Sequence, residues 1–249
     1  MENSSRKMTP RIKLGILTPS SNTSLEPLSQ AIVASLPHVS VHFSRFTVLK
    51  IGLASDALNQ FQTEKILAAA QLLADAEVDM IGWSGTSSGW LGFDTDEKLC
   101  EEITAATGIP ATTSVLALNK AMELFGLKAL GLVTPYTDDV QEQIIRTYKT
   151  INIDCSKERH VGLSKNSSFA DIDEPTLDEM VADVASKKVQ AVTTFCTNLR
   201  AAQRVAYWEK EHGIPVFDTV VTVIWDMLRQ LKVDMKPLEQ SWGMLCTKS

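Results

Sequence analysis

The chain has 249 residues, enough for two compact lobes or one large α/β unit, and 44% hydrophobic with 22% charged residues is a globular composition, not a disordered or collagenous one. Its 24 Lys and Arg against 30 Asp and Glu give a formal charge of -6, which argues against a broad phosphate-binding surface and so against a nucleic-acid partner.

Residues 12–17 are a short apolar run that reads as a strand ending at Thr18-Pro19, and the polar cluster Ser20-Ser21-Asn22-Thr23-Ser24 then leads into a helix. Residues 39–46 alternate like a strand, 63–76 carry the apolar stripe of a helix, and 78–83 form a short strand before Ser84-Gly85-Thr86-Ser87-Ser88-Gly89. The alternation continues with a strand at 129–133, helices at 140–148 and 176–185, and a strand at 189–194; Thr176 and Glu179 are spaced as a capping box. This order predicts the α/β class, with mostly parallel sheets covered by helices.

Residues 1–10 are polar, lack the apolar core of a secretory signal and are expected to be a disordered tail; no uncharged apolar run reaches spanning length. A cytoplasmic protein with no membrane partner is the expectation. Cys100, Cys155, Cys196 and Cys246 are too widely separated for a disulfide framework or a C-x-x-C site, and His38, His42, His160 and His212 form no H-E-x-x-H, so no metal is expected.

The chain also repeats itself. Gly15-Ile16-Leu17-Thr18-Pro19 is echoed 116 positions later by Gly131-Leu132-Val133-Thr134-Pro135. Val78-Asp79-Met80-Ile81 before Gly85-Thr86 matches Val189-Gln190-Ala191-Val192 before Cys196-Thr197 at an offset of 111, and Gly108-Ile109-Pro110 matches Gly213-Ile214-Pro215 at 105. Three matches in the same order imply a duplicated α/β topology: a first lobe over 11–127 and a second over 128–249, whose C-terminal segment packs back on the first. Ligands in parallel sheets sit beyond the carboxyl ends of the strands, which places the loops 19–23, 84–89, 134–139 and 196–198 around one cleft between the lobes.

Cys196 follows a strand and precedes what reads as a helix start, where unpaired N–H groups would lower the thiol pKa and let it shuttle a proton; a buried structural cysteine is the plain alternative. The facing half offers Gly85-Thr86-Ser87, and hydroxyls with backbone N–H groups from both sides, including Thr197, would make an oxyanion pocket. Such loops also serve simply as turns and caps. Tyr136 is a further donor to that pocket or a tyrosine packed over a loop, and Asn22 a donor and acceptor or the cap of its helix. Trp83 and Trp90 bracket the first-lobe loop and either shape the pocket or belong to the core.

With Pro19-Ser20-Ser21-Asn22-Thr23, Gly85-Thr86-Ser87, Thr134-Pro135-Tyr136 and Cys196 in this order, the chain after its tail resembles the aspartate/glutamate racemase superfamily, and within it the maleate isomerase and arylmalonate decarboxylase branch. The resemblance implies two pseudo-symmetric flavodoxin-like lobes, no cofactor, and cysteine proton transfer next to a carboxylate of a small dicarboxylate substrate. It further implies that racemases and maleate isomerases need two facing cysteines, whereas Gly85 fills the first-lobe position here, as in the decarboxylases. Moving a proton between two faces needs a group on each side; loss of carbon dioxide generates its own carbanion and needs one acid. The reading is a cofactor-free decarboxylase with catalytic Cys196 and Gly85 and substrate-binding Thr86, Ser87, Tyr136 and Thr197. Asn22 and, on a looser alignment, Asn166 resemble the carboxylate-holding asparagines of maleate isomerases, so an isomerase is the second reading and a non-catalytic dicarboxylate sensor the third. A homo-oligomer is the base-rate expectation for a metabolic enzyme of this size. Gly85→Cys is expected to introduce racemising activity if the two positions face each other.

Overall fold

The structure is a computed structural model that describes residues 10–54, 57 and 59–248, so most of the expected tail at 1–10 lies outside the described residues. The first half forms β1 (Ile12–Pro19), α1 (Leu25–Val33), β2 (Val39–Phe46), α2 (Thr63–Asp75), β3 (Met80–Trp83), the single turn α3 (Ser88–Leu91), α4 (Phe93–Thr107), β4 (Ala111–Thr113) and α5 (Ser114–Leu124). The second half forms β5 (Leu130–Thr134), α6 (Asp138–Thr150), β6 (Glu158–His160), α7 (Glu174–Ala185), β7 (Ala191–Thr194), α8 (Val205–His212), β8 (Val216–Asp218), α9 (Thr219–Gln230) and the short α10 (Glu239–Trp242).

Each half builds one four-stranded sheet, in the orders β2-β1-β3-β4 and β6-β5-β7-β8, and every ladder is parallel. The sequence echoes fall on equivalent elements: the first on β1 and β5, the second on β3 and β7, the third just before β4 and β8. Gly108 and Gly213 end α4 and α8 in the left-handed region, at φ 72° and 68°, where a side chain would be strained. Helices cover the sheets, so β1, β3, β5 and β7 are buried along most of their length, as their near-continuous apolar runs require.

Two local readings need correction. The helix expected at 176–185 begins at Glu174, because Asp173 accepts the Thr176 N–H at 2.9 Å and Pro175 is pre-set for a first turn; Asp173, not a Thr176/Glu179 box, caps it. No α-helix starts after Cys196: residues 197–200 are turn and bend, and α8 begins only at Val205.

The halves join through α5 and α9. Ser114 Oγ donates to the Thr219 carbonyl at 2.7 Å, and Thr222 Oγ1 donates to the Ser114 carbonyl at 2.9 Å. Beside them Lys120 Nζ meets buried Asp226 at 2.6 Å. All of α9 from Thr219 to Leu228 is buried, consistent with a helix apolar on nearly every face. The C-terminal end returns beneath it: Trp225 Nε1 donates to the Lys248 carbonyl at 2.7 Å, and Lys248 Nζ lies 5.3 Å from the centroid of the Phe125 ring at the end of α5. Among the described residues, no helix is long and apolar enough to cross a membrane, and no group of three His, Cys, Asp or Glu is placed to hold a metal ion.

Candidate active site

The four loops at the carboxyl ends of β1, β3, β5 and β7 meet where the halves face each other, and they are tied across the boundary in pairs. From the first half, Asn22 Nδ2 donates to Thr197 Oγ1 at 3.2 Å; from the second, Tyr136 and Thr86 share a hydroxyl hydrogen bond of 2.7 Å. Each threonine that follows a central strand is therefore bonded to the loop after the first strand of the other half. Thr197 Oγ1 also donates to the Ser84 carbonyl at 3.2 Å.

Between these loops lies a cavity of about 20 Å³, lined among others by Gly85, Thr86, Ser87, Tyr136, Asn166, Cys196 and Thr197. Of the residues singled out in the sequence, Asn22 is not in its lining. Its Oδ1 accepts the N–H groups of Ser24 and Leu25 at 2.9 Å each, opening α1, and its Nδ2 goes to Thr197. Asn166 reaches the lining from the second half, its Nδ2 donating to Ser21 Oγ at 2.8 Å. A far larger recess of about 660 Å³ lies elsewhere, among Phe93, Leu116, Met122 and Leu127, but it contains none of the strand-end residues.

Cys196 is 2% exposed. The expectation of a lowered thiol pKa is overturned: burial, the main cause, pushes Cys196 up to about 12, and the negative charge of Asp218 adds to it. Hydrogen bonds from the Tyr136 hydroxyl and the N–H groups of Asn198 and Leu199 act in the opposite direction without prevailing. With no helix behind it, the thiol receives only these turn amides, so it rests as a neutral acid. Tyr136 is held well above its ordinary value of 10, first by burial and then by the neighbouring Cys196, and remains a phenol able to donate. Asp218, which opens α9 by accepting Val220 and Val221 N–H, is itself pushed up to about 6 by burial.

Gly85 is the first-half counterpart of Cys196 and shares its cavity, but the space beside it is taken. A Cβ on Gly85 would stand 2.1 Å from Trp83 Cζ2 and 2.4 Å from Cε2. The indole is 1% exposed and packs on Phe46, with ring centroids 4.9 Å apart. A cysteine at Gly85 therefore requires the Trp83 indole to shift before its thiol could face Cys196.

Trp83, read from the sequence as shaping the pocket or belonging to the core, is buried and lines the cavity, and its cover over Gly85 fits positions 83 and 85 of an extended segment pointing to the same side. Other contributors escaped the sequence reading. Asn198 staples the halves: its Oδ1 accepts Thr23 and Ser24 N–H at 3.0 and 3.2 Å, and its Nδ2 donates to the Asn166 carbonyl at 2.7 Å. Val48, Ile51 and Phe61 close the cavity from a segment with no periodicity to read. That segment is strapped to the second half, with Ile51 N–H to the Ser164 carbonyl at 2.8 Å and Asn166 N–H to the Leu49 carbonyl at 3.1 Å.

Comparison with known proteins is consistent with this arrangement. The sequence profile of the arylmalonate decarboxylase family matches residues 23–244. The chain is 25% identical over 250 residues to a maleate isomerase of Pseudomonas putida, covering 96% of this chain and 98% of that one. It is 24% identical over 169 residues to the arylmalonate decarboxylase of Bordetella bronchiseptica, covering 67% and 70%. The fold superposes on a cysteine-to-serine variant of Nocardia farcinica maleate cis-trans isomerase carrying a covalently bound succinylcysteine intermediate, with a TM-score of 0.87 at 18% identity over 96% of this chain and 99% of that one. With two parallel four-stranded sheets, a cysteine at the end of one and a family profile spanning nearly the whole chain, this protein belongs to the arylmalonate decarboxylase family.

Proposed function

We propose that the protein is a cofactor-free, cytoplasmic decarboxylase of a small malonate-like dicarboxylate, in which Cys196 is the single acid. The observation that carries this reading is the asymmetry of the cavity: a neutral thiol on one wall, and on the equivalent wall a glycine covered by the Trp83 indole.

One carboxylate of the substrate is held by Thr86, Ser87, the Tyr136 hydroxyl and the N–H of Thr197. The other lies against Val48, Ile51, Phe61 and Trp83, a wall that suits neutral carbon dioxide better than an anion. The carbon–carbon bond breaks, carbon dioxide leaves, and the electron pair passes to the α-carbon and spreads into the retained carboxylate as an enediolate. Each donor to those oxygens is worth roughly 3 kcal/mol in the transition state. The Cys196 S–H bond then gives its proton to the α-carbon, and the thiolate, held by Tyr136 and the amides of Asn198 and Leu199, is reprotonated from solvent. A dicarboxylate exceeds the 20 Å³ present, so it enters with outward movement of the strap at 48–51.

A second reading, maleate-type cis-trans isomerisation, is favoured by the Asn166 amide at the cavity and by the near-complete coverage of the Pseudomonas putida isomerase. Here Cys196 adds to the alkene and is later eliminated, but no second thiol faces it. The two readings separate when malonates and maleate are incubated with the protein and carbon dioxide release and fumarate formation are followed together. Decarboxylation without fumarate supports the proposal, and fumarate without carbon dioxide overturns it.

A further inference from the structure

Trp90 lies in the single turn α3 that follows the Gly85 loop, and its indole is fixed on two sides: edge-on to Tyr136 with centroids 5.4 Å apart, and edge-on to Phe61 at 6.4 Å. It is 4% exposed and lines the same cavity as Cys196. Its Nε1–H is buried and has no hydrogen-bond partner among the described residues. A buried donor left unpaired costs stability that a phenylalanine at this position would spare, and in a site built to bind a ligand such a donor marks where the ligand carries an acceptor.

The rest of the cavity narrows the choice of acceptor. The retained carboxylate already has Thr86, Ser87, Tyr136 and the Thr197 amide around it. The departing carboxylate gains from apolar walls, and a strong donor there would hold the charge that must be lost. The remaining oxygen is one on the substituent of the α-carbon. Trp83, anchored on Phe46 and filling the space over Gly85, adds a size limit, because it removes the volume a planar ring would need on that side.

Resting on the decarboxylase reading, we propose that Trp90 is a specificity-determining residue whose indole N–H donates to an oxygen on the α-carbon, so that the substrate class is small α-oxygenated malonates, of which hydroxymalonate is the simplest, and not arylmalonates. The carbon–carbon bond of hydroxymalonate breaks to release carbon dioxide, the electron pair is protonated by Cys196, and glycolate remains.

The test compares hydroxymalonate, methylmalonate and phenylmalonate in the wild type and in Trp90→Phe, reading carbon dioxide release as kcat/KM, and measures binding of the same three acids calorimetrically in Cys196→Ala with and without Trp90→Phe. The wild type should favour hydroxymalonate over methylmalonate by roughly tenfold or more, since a site with a dedicated donor rejects the analogue lacking the acceptor. Trp90→Phe should erase that preference, bringing kcat/KM for hydroxymalonate down to that for methylmalonate, and a circular dichroism spectrum matching the wild type shows that the variant is folded. Equal use of the two acids, equal loss of both in the variant, or phenylmalonate as the best substrate overturns the proposal. A hydroxyl preference in binding that depends on Trp90, with no carbon dioxide from any malonate, supports the role of Trp90 and overturns the decarboxylase reading instead.

Discussion

The Trp83 indole lies over the α-carbon of Gly85, so that a side chain there would begin 2.1 Å from its Cζ2 atom. The position pseudo-symmetric to Cys196 is thus closed by the residue two places before it. Gly85→Cys alone should lower the Tm, with an overpacking cost of about 1–3 kcal/mol, and should give no exchange of the product α-proton in deuterated water. Combined with Trp83→Ala, the same cysteine should produce exchange, detectable by NMR of the product. Exchange in the folded single variant would show that the indole does not hold this wall.

Cys196 is the only thiol in the cavity lining, and its replacement should be decisive. Cys196→Ala should lower kcat by about 10²–10⁴-fold, the usual contribution of a general acid, with the calorimetric Kd for substrate nearly unchanged. Full turnover in this variant would remove the proposed acid.

Tyr136 joins the hydroxyl of Thr86 at 2.7 Å to the thiol of Cys196 and stays protonated well above pH 10. Tyr136→Phe should cost about 10²–10³-fold in kcat, the effect of removing one oxyanion donor, with a smaller change in KM. A loss confined to KM would assign Tyr136 to ground-state binding alone.

Much of this was legible in the sequence because the duplication is written in residues the backbone needs. Gly108 and Gly213 sit where φ is positive, and the echoes around Gly15 and Gly131 fall on the first, central strand of each half. The strand-end rule then located the loops carrying Thr86, Tyr136 and Cys196. What could not be read is tertiary. The three-residue strands β4, β6 and β8 are too short to show a period, and the covering segment with Val48 and Ile51 is placed by the bonds of Ile51 to Ser164 and of Leu49 to Asn166 across the cleft. The thiol pKa follows from burial, which the sequence does not state.

Asp96 and Asp218 are buried and raised from 3.8 to about 6, burial being the main cause for both. Between those values the folded protein holds protons that the unfolded chain has released. Their stabilising contribution is therefore full below about pH 3.8 and is lost as pH rises through about 6, on the order of 2–3 kcal/mol for each group. Asp96→Asn should flatten this part of the stability profile, measured as denaturant midpoints from pH 4 to 7 against the wild type. An unchanged difference across that range would mean that Asp96 titrates normally.

In the proposed reaction one thiol protonates a planar enediolate from one side. Its most direct test is the configuration of the product from a prochiral disubstituted malonate such as 2-hydroxy-2-methylmalonate, which yields lactate and carbon dioxide. A single thiol acid should give lactate of a single hand, formed at the rate of carbon dioxide release and stable to further exchange in deuterated water. Racemic lactate from the enzyme, or lactate whose α-proton continues to exchange, would contradict it.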